Sequence, residues 1–139
     1  MKNKIIDVTN LTKKYSSKDS LALDHINLTI EQGSIFGLLG PNGAGKSSFI
    51  NILSGLSKKT SGKVFVFGID LDEDPKTIRG NIGVVPQEIN IDPFFTPLEI
   101  MNIQSGMYGV KKKQNKNHEI LKNLDLHEKS NAYSRSLSG

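Results

Sequence analysis

Between two apolar stretches the chain reads Gly40-Pro41-Asn42-Gly43-Ala44-Gly45-Lys46-Ser47-Ser48, the spacing G-x-x-x-x-G-K-[ST]. Upstream, Ser34-Ile35-Phe36-Gly37-Leu38-Leu39 is an apolar run of strand length, and downstream Ser48-Phe49-Ile50-Asn51-Ile52-Leu53 begins a helical pattern. A strand that turns through glycines into a helix belongs to an α/β chain. The glycines let the backbone curl tightly with its N–H groups turned inward and no Cβ in the way, which makes an anion-binding nest. A helix beginning near Lys46 adds unpaired N–H groups and the positive end of its dipole. Lys46 supplies a mobile point charge for the β- and γ-phosphates, and Ser47 offers a hydroxyl oxygen to Mg²⁺. The loop therefore reads as the cradle of a nucleoside triphosphate, with Gly40, Asn42, Gly43, Ala44, Gly45, Lys46, Ser47 and Ser48 as candidate binding residues.

Composition sets bounds on what carries this loop. At 139 residues the chain has the size of one ordinary domain, and it contains no cysteine, which removes disulfides and thiolate metal sites and suits a cytosolic setting. No apolar run reaches the roughly 18 residues of a spanning helix, and the N-terminus has no apolar core of signal-peptide type, so a soluble chain is expected. The net charge of +4 arises from 18 basic against 14 acidic residues, too even a mixture for a nucleic-acid footprint. The densest basic run, Lys111-Lys112-Lys113 with Lys116, has no interleaved aromatics and reads as a solvated loop.

The periodicity predicts half-buried strands at Ile5-Ile6-Asp7-Val8-Thr9-Asn10-Leu11 and His25-Ile26-Asn27-Leu28-Thr29-Ile30. A helix ending near Gly55 and a polar turn lead into a compact strand, Lys63-Val64-Phe65-Val66-Phe67, closed by Gly68. Ile82-Gly83-Val84-Val85 reads as a buried strand stopped by Pro86. From Thr96 the spacing becomes helical, over 97–108 and 118–124, with Thr96 as N-cap and Pro97 at the first helical position.

With these elements in place the chain resembles the ATP-binding subunit of an ABC (ATP-binding cassette) transporter along its whole length. Leu11-Thr12-Lys13-Lys14-Tyr15 is similar to the segment in which the family places an aromatic residue ahead of the phosphate loop, so the resemblance makes Tyr15 the ring that stacks on adenine. Val84-Val85-Pro86-Gln87-Glu88 resembles the family's Q-loop, which implies that Gln87 presents its amide oxygen to Mg²⁺ and to the attacking water. Phe95-Thr96-Pro97-Leu98-Glu99-Ile100 resembles the opening of the helical subdomain, and Ser136-Leu137-Ser138-Gly139 looks like the first residues of the signature motif. The fold implied is a P-loop NTPase of α/β class: an ABC-type nucleotide-binding domain with an N-terminal antiparallel β-subdomain and a C-terminal helical subdomain. Residues 1–95 form the α/β core and 96–139 the helical part.

In the family the segment after the signature carries the Walker B strand, the adjacent catalytic Glu and the switch His. The chain is thus expected to be an incomplete cassette without catalytic residues, with ATP and Mg²⁺ as ligands and with Ser47 and Gln87 as metal contacts. The strands expected at 34–39 and 82–85 would then lack sheet neighbours, and a marginally stable or aggregation-prone chain is expected. The partners implied are a transmembrane permease and a second ATP-binding subunit, with no nucleic acid. The location implied is the cytoplasmic face of the cell membrane, held peripherally through the permease. Gly68-Ile69-Asp70 and Met107-Tyr108-Gly109-Val110 look most like exporters of the drug or lipid-linked polysaccharide type. Two other function classes stand beside this one: a non-transport ABC ATPase, and a nucleotide-binding fragment without activity.

Rival motifs fail on chemistry. Asp70, Asp72 and Asp74 echo a calcium loop, but Pro75 stands where Gly is required and Asn81 where a bidentate Glu is needed. A dinucleotide fingerprint lacks its third small residue, and His25, His118 and His127 have no metal-ligand spacing.

Overall fold

A computed structural model describes residues 4–16, 20–87 and 92–133, and the chain divides into two compact units, 1–84 and 85–139. The first unit is built on a four-stranded sheet of order β2-β1-β3-β4, with β1 Lys4–Lys13, β2 Leu23–Glu31, β3 Ser61–Val66 and β4 Ile69–Asp70. Every pairing in it is antiparallel. The expected N-terminal antiparallel β-subdomain is therefore present, with boundaries close to those read from alternation. Strand β1 sits in the middle because it offers an apolar row to both neighbours: Val8 faces Leu28 on β2 and Val64 on β3.

Strict alternation would place Val8 and Leu11 on opposite faces, yet both are buried. The register with β2 slips between them, and Asn10 takes a positive φ of 49°. Such a bulge adds one residue to one strand and re-phases everything after it. Asn27 stabilises the irregularity by accepting the Asn10 N–H at 2.9 Å. One consequence lies further along the chain: past the bulge Thr12 and Lys13 are also buried.

Helix α1, Lys46–Leu53, lays Phe49 and Ile52 on the sheet, three positions apart and so on one face. They join Val8, Leu11, Val64 and Val66 in one core, each contributing about 1.5–3 kcal/mol relative to exposure. A second helix, α2 Pro75–Gly80, adds Ile78 to the same core. Its sequence signal is a cap rather than a period: Asp74 accepts the Thr77 N–H at 3.0 Å and Pro75 occupies the first turn.

The second unit is helical. Helix α3, Pro97–Met107, opens with a reciprocal capping box in which Glu99 Oε2 accepts the Thr96 N–H at 2.9 Å and Thr96 Oγ1 accepts the Glu99 N–H at 3.3 Å. Helix α4, Asn117–Asn123, is joined to it by amides: buried Asn117 donates to Asn102 Oδ1 at 2.8 Å and accepts from Ser105 Oγ at 3.0 Å. The basic run before α4 forms one exposed 3₁₀ turn, Lys112–Gln114.

The strands expected at 34–39 and 82–85 do not form. Among the described residues no strand lies beside either segment, and an extended backbone without a neighbour has nowhere to place its N–H and C=O groups except water. Ile35 and Leu39 are accordingly 104% and 93% exposed, and Val85 95%.

Candidate functional site

Three chain segments converge where the phosphate loop meets the sheet. The end of β1 and the residue before β2 are tied by a hydrogen bond from the Ala22 N–H to the Lys13 carbonyl, 2.8 Å. Gly45 packs directly against Ala22 and Leu23. A Cβ at Gly45 would run into the Ala22 carbonyl oxygen and lie 2.8 Å from Leu23 Cδ2, and its φ of +88° is one that side chains rarely adopt. Glycine is therefore required there twice over, by backbone conformation and by close approach.

Within the loop the Ala44 N–H bonds back to the Pro41 carbonyl at 3.2 Å, and the Phe49 N–H closes the first helical turn on Gly45 at 2.9 Å. No side chain caps α1, so its leading N–H groups at Lys46, Ser47 and Ser48 are left for an outside acceptor. Lys46 curls over the loop and donates to the carbonyls of Gly40 at 2.6 Å and Pro41 at 2.7 Å. Neutral carbonyls are weaker acceptors for an ammonium than phosphate oxygens, so an incoming anion can displace them.

Tyr15 stands at the same corner. Its hydroxyl is 2.9 Å from Ser48 Oγ, either oxygen being able to donate, and the residue is 59% exposed. The structure thus brings Tyr15, the residues 40–45, Lys46 and Ser48 to one place, with Ser47 exposed beside them. Asn42 is exposed at the outer edge of the loop. Gln87 belongs to the second unit, where it is exposed at a bend. Glu88 and residues 136–139, which carry the resemblance to the signature motif, lie outside the described residues.

The site is an open surface. The apolar cleft bordered by Leu23, Leu39, Gly45 and Lys46 measures about 90 Å³, well under the roughly 300–1,000 Å³ of an enclosing ligand pocket. A larger hollow of about 490 Å³ lies at the other end of α1, between Lys58, Lys59, Asp72 and Arg79, and is separate from the loop. Among the described residues no group of three or more acidic, His or Cys side chains could hold a metal ion.

Sequence reasoning missed two contributors. Lys13 lies under Tyr15, its Nζ 4.4 Å from the ring centroid. The pair Ala22–Leu23 forms the wall that fixes Gly45. The Lys-x-Tyr spacing was the available signal for the first, since residues two apart on an extended chain share a face.

The sequence matches the ABC transporter family over residues 23–139. It is 39% identical over 107 residues to a probable multidrug ABC transporter ATP-binding protein of Escherichia coli (strain K12), covering 77% of this chain and 18% of that one. It is 38% identical over 122 residues to the bacitracin transport ATP-binding protein of Bacillus licheniformis, covering 88% and 39%. The fold aligns with a dimeric ATP-binding cassette, MJ0796, in a post-hydrolysis state bound to ADP and Pi, at TM-score 0.76 and 32% identity, over 96% of this chain and 63% of that one. The chain thus spans well under half of these two relatives and somewhat under two thirds of the solved cassette.

Proposed function

The chain belongs to the ABC transporter family, and on that premise we propose that it is the ATP-binding part of a subunit that couples ATP binding and hydrolysis to transport through a membrane permease. The observation that carries the reading is the meeting of Lys46, the uncapped start of α1 and the Tyr15–Ser48 contact at one open corner of the sheet. Residues 40–48 hold the phosphates through backbone N–H groups and the Lys46 ammonium. Tyr15 supplies a stacking surface for adenine, an interaction worth about 1–3 kcal/mol by analogy with base stacking elsewhere. Ser47 is the side chain beside the loop that would contact Mg²⁺, which when bound neutralises charge on the phosphates.

The remaining partners follow from the open site. A surface this shallow leaves much of a bound nucleotide uncovered, which favours a second ATP-binding subunit closing over it, as the dimeric state of the solved relative supports. Among the described residues no helix is long and apolar enough to cross a membrane, and it is the family membership that supports a place on the cytoplasmic face, held through a permease. Residues 96–139, with α3 and α4 in the second unit, are the start of the helical subdomain.

Titration with MgATP tests the site. Lys46→Ala is expected to abolish measurable binding, because the loop loses its one mobile cation, and unchanged affinity would overturn the assignment. Tyr15→Ala is expected to weaken ATP by about tenfold or more while leaving inorganic tripolyphosphate unaffected.

A further inference from the structure

Lys13 is buried at the end of β1, and its ammonium is held from two sides. It donates to the Lys58 carbonyl at 2.7 Å and lies 4.4 Å from the centroid of the Tyr15 ring. A cation within about 6 Å of an aromatic face is drawn to the ring's negative quadrupole. The backbone between them is pinned as well: the Lys14 N–H donates to Thr60 Oγ1 at 2.9 Å, and that hydroxyl donates back to the Lys14 carbonyl at 3.3 Å. At the rim the Tyr15 hydroxyl meets Ser48 Oγ.

These contacts hold one face and the edge of the ring, while Tyr15 as a whole stays more than half exposed. The ammonium also draws π-density toward itself, which makes the other face a better partner for an electron-rich base. We propose that Lys13 is a positioning and specificity-determining residue for the nucleobase: it closes one face of Tyr15 so that the base of a nucleoside triphosphate stacks on the other. Lys13 acts through the ring and touches neither base nor phosphate. The proposal rests on the reading of Tyr15 as the base platform.

The test compares MgATP with magnesium tripolyphosphate, which has no base, by calorimetric titration of the 139-residue chain. Lys13→Met is expected to weaken ATP by about three- to tenfold and to leave tripolyphosphate unchanged. Lys13→Gln keeps a donor for the Lys58 carbonyl but no cation, and the same loss is expected; recovery to wild-type affinity would assign the effect to that hydrogen bond and overturn the proposal. Lys13→Arg retains the cation and is expected to bind ATP within about twofold of wild type. In a Tyr15→Ala background Lys13→Met should have no further effect, and an undiminished loss there, or an equal loss of both ligands, would also overturn it. Failure of the underlying reading looks different: Tyr15→Ala alone would then leave ATP affinity unchanged. If Tyr15→Ala weakens ATP and Lys13→Met does not, only the Lys13 proposal falls.

Discussion

Strand β3 and the segment 34–39 are both short, apolar and rich in residues that favour extended chain, yet one is core and the other lies bare. Val64 and Val66 are hidden in β3, whereas Ile35 and Leu39 are almost wholly exposed. The difference lies in their neighbours. Strand β3 finds β1 beside it in antiparallel register, with Ile6 opposite Val66 and Val8 opposite Val64. Segment 34–39 has no such partner among the described residues. Strand propensity is a measure of fit to a pleated, half-buried surface, and it has no effect until that surface exists.

The contrast can be broken first by matched substitutions. Ile52→Ala, deep under the sheet, is expected to destabilise by about 2–5 kcal/mol, whereas Ile35→Ala should stay within about 0.5 kcal/mol. Urea unfolding of the two variants decides it. Equal losses would mean that 34–39 is packed in solution. A second expectation is self-association, since Ile35 and Leu39 present exposed apolar chain that no strand covers among the described residues. Sedimentation velocity should show mass rising with concentration, and the double variant Ile35→Lys, Leu39→Lys should reduce that rise. A monomer with one sharp cooperative transition would contradict the picture.

The smallest effect concerns acid. Hydrogen bonds from Thr77 to the Asp74 carboxylate hold its pKa below the ordinary value, and those from Lys4 and Thr29 do the same for Asp7. A carboxyl depressed in the folded state stabilises above its unfolded pKa and loses that contribution as pH falls through the folded value. The stability gap between wild type and Asp74→Ala should therefore be present at neutral pH and shrink below about pH 4, read as converging urea midpoints. A gap that widens on acidification would show that the Asp74 cap acts by something other than its charge.

Several elements were legible before any coordinates because their signals are local. The alternation at 5–11 and 25–30, the Thr96–Pro97 start of α3 and the Gly-Lys-Ser turn into α1 each depend on residues within a few positions of one another. Helix α2 was not legible in this way, because its six residues are too few for a period and its start lies in the Asp74–Pro75 cap. At the site, the loop residues could be named from spacing and Tyr15 from the resemblance to the family. For Lys13 the Lys-x-Tyr spacing was a signal of a shared face with Tyr15, but its burial was hidden, since it follows from the bulge at Asn10 that breaks the alternation of the strand.

By itself the sequence determined the phosphate loop, the direction in which it leads into a helix, and the antiparallel strands before it, because backbone conformation, capping and hydrophobic period act over a few residues. Only the tertiary structure decided whether an apolar run becomes a strand, which wall fixes Gly45, and what lies beneath the ring of Tyr15. Those depend on groups distant in sequence, Lys13 with Lys58, Ala22 with Gly45, Tyr15 with Ser48, and contacts of that range exist only once the chain has closed around its core.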